Sequence, residues 1–211
     1  MIIDNVTSGN CLPFFIGDGS SLFGSRIGGA QPEGVFSVHA QKAYYLLTIP
    51  LEEDGSAEVS IFLHPDWDDI MSDHSRILYS QEDLWVELIV HGPSLRSTEN
   101  RCQLLLTPHP LLFGTVEPDR QGDDLNIYDE PGAPLRQHKV GGSPYYVRHQ
   151  AKLVDAIVEV KERGYRQLLQ LTFPGPRDAD IDGDWPFADG NFYLFFKYSE
   201  GQYHWCYGWL F

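Results

Sequence analysis

Arg26-Ile27-Gly28-Gly29-Ala30-Gln31-Pro32 returns in the second half of the chain as Lys139-Val140-Gly141-Gly142-Ser143-Pro144. Each stretch is a basic residue, an apolar residue and two glycines, and two successive residues without Cβ permit positive φ and close backbone approach. The segments downstream of each turn repeat as well. Tyr45-Leu46-Leu47-Thr48-Ile49-Pro50 is answered by Gln170-Leu171-Thr172-Phe173-Pro174, and residues 58–63 are answered by 191–196. Three elements recur in one order: a basic-x-Gly-Gly turn, an apolar strand ending at proline, and a second strand. That order predicts a duplicated β-rich unit, with pseudo-repeats over about 25–113 and 137–211.

Working outward, strands are expected at 44–50 and 58–64 around the turn signal Asp54-Gly55, then at 84–91, 102–107, 167–173 and 191–198. Ser199-Glu200-Gly201 is a tight turn into a last strand, 203–211. There Tyr203, Trp205, Tyr207, Trp209 and Phe211 share one face, which is therefore core or interface. The one long helical signal covers 150–163, where Leu153, Val154, Ile157 and Val158 form an apolar stripe. Gly164 stands where a C′ glycine belongs, and Lys161 and Arg163 complement the helix dipole. Residues 1–24 are turn-rich. Residues 114–136 are dominated by Gly, Pro and the acids Glu117, Asp119, Asp123, Asp124, Asp129 and Glu130, which predicts an acidic linker. The expected fold is α+β: a single domain over 1–211, β-rich, built of internally duplicated antiparallel sheet units with one main amphipathic helix.

Composition excludes several classes. With 211 residues the chain buries a sizeable core without staples, and 13% aromatics exclude disorder despite a net charge of −15. That charge repels nucleic-acid phosphates and anionic lipid and favours basic partners or cations, besides aiding solubility. Cys11, Cys102 and Cys206 are odd in number and far apart, so free thiols in a reducing compartment are expected rather than disulfides or a zinc ribbon. The first basic residue is Arg26, so no signal peptide is read. No apolar run approaches the roughly 20 residues that span a bilayer. A cytoplasmic protein with no membrane or nucleic-acid partner is the expectation, and the Asn5-Val6-Thr7 sequon is then chance.

Four stretches resemble the YwqG-like family of bacterial proteins. Ser25-Arg26-Ile27-Gly28-Gly29 is similar to its first basic-x-Gly-Gly segment, and Lys139-Val140-Gly141-Gly142-Ser143-Pro144-Tyr145-Tyr146-Val147 to its second. Leu168-Leu169-Gln170-Leu171, the acidic loop and Asp189-Gly190-Asn191-Phe192-Tyr193-Leu194-Phe195-Phe196 resemble its central signature, and Tyr203-His204-Trp205-Cys206 its closing strand. The first half departs from the pattern, with Gly28-Gly29-Ala30-Gln31-Pro32 in place of Gly-Gly-x-Pro. The resemblance implies a duplicated β-rich α+β fold. It implies no established enzymatic activity, and it points to toxin immunity, since some family members sit beside polymorphic toxins.

The sharpest chemical pattern is Asp178-Ala179-Asp180-Ile181-Asp182-Gly183-Asp184-Trp185-Pro186-Phe187-Ala188-Asp189. Asp178, Asp180, Asp182, Asp184 and Asp189 stand at calcium-loop positions 1, 3, 5, 7 and 12, with Gly183 at 6. Against a calcium site, position 12 is Asp rather than Glu, Pro186 occupies position 9, and Pro174 and Pro176 forbid a preceding helix. The other reading is an exposed acidic loop. Gly19–Arg26 has phosphate-loop glycine spacing but no Lys before the Ser, and neither a G-x-S-x-G elbow nor an H-E-x-x-H helix occurs. Eight scattered histidines lack ligand spacing; His138 and His149, flanking the second Gly-Gly turn, are the one pair of interest. Arg26 and Lys139 could each grip an anion with glycine amides, or pair with carboxylates.

Two functions are expected. The first is a cytoplasmic immunity protein that neutralises a basic toxin, such as a nuclease, by direct binding. Its acidic surface at 117–130 and 178–189 would steer the cationic partner. The second is a calcium-binding protein or an enzyme working in the cleft between the repeats, with calcium as the only cofactor in view.

Overall fold

The computed structural model describes residues 10–19, 24–52, 56–67, 69, 78–94, 101–118, 138–144, 151–174, 178–181, 183, 185–187 and 190–210. In chain order the strands are β1 (Asn10–Ile16), β2 (Arg26–Ile27), β3 (Tyr44–Pro50), β4 (Glu58–Leu63), β5 (Tyr79–Ser80), β6 (Val86–His91), β7 (His109–Phe113), β8 (Glu117–Pro118) and β9 (His138–Gly141). Helix α1 (Ala151–Glu162) comes next, then β10 (Arg166–Leu171), β11 (Asn191–Ser199) and β12 (Gln202–Leu210). They form one antiparallel sheet in the order β5-β12-β11-β10-β9-β1-β7-β2-β3-β4-β6, with β8 also on β1. The protein is therefore α+β and mostly β.

The sheet curls until its ends meet. The chain leaves β5, on the outer edge of β12, and enters β6, at the opposite end, within a few residues. Trp205 Nε1 donates to the Val86 carbonyl at 3.2 Å and the Trp85 amide donates to the Tyr207 hydroxyl at 3.1 Å, closing the gap. Inside the curl lies one core drawn from both halves: Leu47, Ile49, Val59 and Ile61 meet Leu169, Phe192, Leu194 and Trp209. Burying each such side chain contributes roughly 1.5–3 kcal/mol. Trp67 joins the halves most visibly. Its ring packs edge-on against Trp209 and Phe187, at centroid distances of 4.9 and 5.7 Å, and its Nε1 donates to the Pro186 carbonyl.

Two bulges decide which side chains face inward. Register shifts in β3 between Tyr45 and Leu47, and in β10 between Gln167 and Leu169. A bulge turns two successive residues to one side, so Leu46 with Leu47, and Leu168 with Leu169, all enter the central core. The outer face carries separate layers. Ile157 and Val160 of α1 cover Tyr193, Phe195 and Cys206, while Val35, Ala43 and Cys102 cover Tyr45 and Phe62.

Most expected elements stand within a residue or two of their bounds, but β7 and β9 were not expected as strands, and three further segments differ. Residues 10–16, read as turn-rich, form β1 in the middle of the sheet. Residues 102–107, read as a strand, make only isolated bridges at Gln103 and Leu106, because their backbone bonds are given to the cover of the first half: Gln103 donates to Ala43 and Leu106 accepts from Gly29. The expected linker 114–136 begins with a short strand, since Glu117 and Pro118 pair with Cys11 and Asn10. Residues 119–137 lie outside the described residues.

Candidate functional site

Cross-strand partners share a face, and on the outer face this lines up two polar rows. In the first, Arg26 stands opposite Thr48 and Thr48 opposite Ser60; in the second, Lys139 stands opposite Gln170 and Gln170 opposite Tyr193. Both cations are fully buried. Lys139 Nζ donates to the Ser143 carbonyl. Arg26 Nη1 donates to the Gly24 carbonyl at 2.8 Å, whereas its Nε and Nη2 are buried without a hydrogen-bond partner. Each unsatisfied buried donor costs roughly 1–3 kcal/mol, more for a charged group. The glycine amides do not complete an anion cradle at Arg26: Gly28 N–H donates to Leu46 and Gly29 N–H to Leu106. Gly28 (φ +68) is held so closely that a Cβ there would stand 2.4 Å from the Thr107 carbonyl oxygen.

Thr48 belongs to a hydrogen-bonded chain that reaches the surface. Tyr45 hydroxyl, Thr48 Oγ1, Ser60 Oγ and His91 Nε2 succeed one another at 2.7, 2.8 and 2.7 Å. His91 Nδ1 lies 2.6 Å from the Gly92 carbonyl, which can only accept. The proton of the neutral ring is therefore on Nδ1, Nε2 accepts from Ser60, and the chain runs as donors from Tyr45 outward.

His138 is matched with Asp178; His149 lies outside the described residues. His138 is 1% exposed, its Nδ1 accepts the Thr172 amide at 3.1 Å, and its Nε2 faces Asp178 Oδ2 at 3.5 Å. Asp178 Oδ1 accepts the Ile16 amide at 2.8 Å. With Nδ1 held by a backbone N–H, the neutral ring carries its proton on Nε2 and has no lone pair left to act as a base. Asp178 ties the 178–187 segment to β1, and His138 of β9 stands beside it with Nε2 outside hydrogen-bond geometry. The first residue of the calcium-like pattern is thus turned inward, Asp180 is exposed, and Gly183 bridges Leu106. A Cβ on Gly183 would stand 2.4 Å from the Leu105 carbonyl oxygen. Asp182, Asp184 and Asp189 lie outside the described residues, as do Asp119, Asp123, Asp124, Asp129 and Glu130. Among the described residues no three His, Cys, Asp or Glu side chains gather as metal ligands.

The cleft between the halves is apolar. Leu51, Val59, Leu88 and Val90 face Phe196 and Trp205 across a groove of about 350 Å³, its open mouth included, with Tyr203 and His204 beside them. The aromatic face of β12 is core: Tyr207 and Trp209 are buried, and Tyr203 and Trp205 pack against the same cluster. Cys102 belongs to the outer layer of the first half, and Cys206 lies under α1. Burial, helped by the Glu87 charge, pushes Cys102 up to about 11. Burial pushes Cys206 up to about 12, with Arg163 and Lys197 opposing. Neither is a thiolate at neutral pH.

Sequence reasoning singled out Arg26 and Lys139 but missed the His138–Asp178 match, which no spacing signals because 39 intervening residues loop between them. No helix among the described residues is long and apolar enough to cross a membrane. No family model, no curated protein and no solved structure matches the chain, so the likeness to the YwqG-like family stands on its sequence motifs.

Proposed function

We propose that the chain is a binding protein of the cytoplasm, an immunity protein that neutralises a basic toxin by covering its cationic active-site surface. The observation that carries this reading is the placement of charge. The net charge is −15, and two of the fifteen basic residues, Arg26 and Lys139, are withdrawn into the sheet. Glu58 and the Asp178 side chain are withdrawn as well, so the surface keeps the negative balance of the composition, with Asp18, Glu33, Asp66, Asp69 and Glu82 among the exposed acids. A toxin that acts on phosphates presents a positive surface, for which such a protein competes. Coexpression tests the proposal: a candidate basic toxin stops growth alone, and with this chain present growth returns and the two copurify. Growth arrest that persists at equal expression contradicts it.

The two halves are, in the same proposal, copies of one unit. Registers support this: Arg26 faces Thr48 and Pro110, and Lys139 faces Gln170 and Pro13. The bulges at Leu46 and Leu168 occupy matching places, as do Gly17, bonded to Pro110, and Gly114, bonded to Pro13. Leu46-Leu47-Thr48-Ile49 then corresponds to Leu168-Leu169-Gln170-Leu171, upstream of the sequence echo that matched Pro50 with Pro174. The copies begin at β1 and β7 rather than near residues 25 and 137, and each lead strand pairs with the other copy's turn strand.

A further inference from the structure

We propose that Arg26 is the centre of a site for a small oxyanion, a phosphate or a carboxylate, taken side-on by Nε and Nη2. The Nε–H and one Nη2–H lie along one edge of the planar guanidinium, parallel and spaced to meet two oxygens of a single carboxylate or phosphate. These are the two nitrogens that the fold leaves without a hydrogen-bond partner, in a side chain 0% exposed. The opposite edge is anchored, because Nη1 donates to the Gly24 carbonyl at 2.8 Å. The fork is thus oriented by one bond and presented by the other edge. Among the described residues no carboxylate forms an ion pair with it.

Access comes from the same glycine. Gly24 is exposed with φ +66, and nothing stands within 4 Å of where its Cβ would be. The residue whose carbonyl holds the guanidinium therefore stands at the surface. Beside Arg26 the floor of the site is polar: Thr48 stands directly opposite on β3, backed by the hydroxyls of Ser60 and Tyr45. The Gly28 and Gly29 amides are already bonded to carbonyls, so recognition rests on the arginine fork and not on a glycine nest. Lys139, at the matching register, offers a point charge that bonds Ser143 and has no fork. The site is independent of the protein-partner reading, which needs only the outer acids.

The test titrates the intact chain with sodium phosphate and, in parallel, sodium acetate, each against sodium chloride at equal ionic strength. Two readouts are tracked: the Arg26 Nε–H resonance, assigned through its own backbone amide, and the thermal midpoint. The expected result is a saturable shift of that resonance with a matching rise in the midpoint, produced by the oxyanion and not by chloride. A response to phosphate alone assigns a phosphoryl ligand, and a response to acetate, alone or with phosphate, assigns a carboxylate or general oxyanion site. Arg26→Lys keeps the charge, removes the fork and loses the midpoint rise. A resonance that stays fixed in both arms overturns the proposal, whether or not the midpoint rises, because any bound anion would then sit elsewhere.

Discussion

The two halves of the sheet cover their outer faces differently. Behind β10–β12 the cover is α1, a helix that satisfies its own backbone and, among its described side chains, reaches the sheet through Ile157 and Val160. Behind β3, β4 and β6 it is irregular chain, whose backbone must find partners one by one: Gln103 on Ala43, Arg101 on the Gln31 side chain, Val38 on Glu87, Gly29 on Leu106. The sheet beneath keeps the same registers, bulges and buried cation in both places. The sheet thus fixes where each side chain stands, and the cover needs only to exclude water and match polar groups.

That comparison breaks first at the core the halves share. Trp67→Ala leaves a large cavity between Trp209, Phe187 and the β3–β4 layer and is expected to cost roughly 3–5 kcal/mol. Urea unfolding monitored by fluorescence and by circular dichroism should give one transition for both signals. Separate transitions would mean that the halves are independently stable.

Next come the glycines of the first turn. Gly28→Ala drives a Cβ into the Thr107 and Leu106 carbonyls at positive φ and should cost roughly 2–4 kcal/mol. Gly24→Ala meets open space, and only its left-handed backbone is penalised, by about 1 kcal/mol. Equal losses in urea titrations would contradict the close approach at Gly28.

The smallest effect compares the two covers through their thiols. Cys102 belongs to the irregular one and Cys206 lies under the helix, with values raised from the usual 9 to about 11 and about 12. At pH 8 both should alkylate slowly in the folded chain, Cys206 about tenfold more slowly than Cys102 if thiolate fraction decides. Because folding favours the neutral thiols, this contribution to stability is complete below pH 9 and disappears as pH rises through 11 to 12. The thermal midpoint should fall over that window, and a flat midpoint would contradict the burial.

Strand content was legible where runs of β-forming residues stood between turn signals. Residues 44–50 form β3 to the residue, and the Glu200-Gly201 turn carries φ values of +55 and +77 between β11 and β12. The two central strands were not legible. β1 and β7 carry Pro13 and Pro110, residues that normally demote a strand, yet each proline carbonyl accepts from a glycine amide across the junction, Gly114 and Gly17. Residues 102–107 failed the other way: the apolar run Leu104-Leu105-Leu106 reads as a strand, but only Cys102 and Leu106 of the segment are buried, and it lies as cover rather than in the sheet. At the candidate site, residue types pointed to Arg26 and Lys139, but local sequence could not show that Gly28 and Gly29 had spent their amides on Leu46 and Leu106. Nor could it show that Asp178 turns inward to His138, a contact created only when the sheet curls.

The association rate with a copurifying toxin, measured by stopped flow from low to high salt, tests the functional reading most directly. A negative surface steering a cationic partner predicts a rate that falls tenfold or more, roughly, as salt screens it. Replacing Asp123, Asp124 and Asp129 with Asn and Glu130 with Gln should lower the rate and flatten its salt dependence. A rate indifferent to salt, or unchanged by those four replacements, would contradict recognition through this acidic surface.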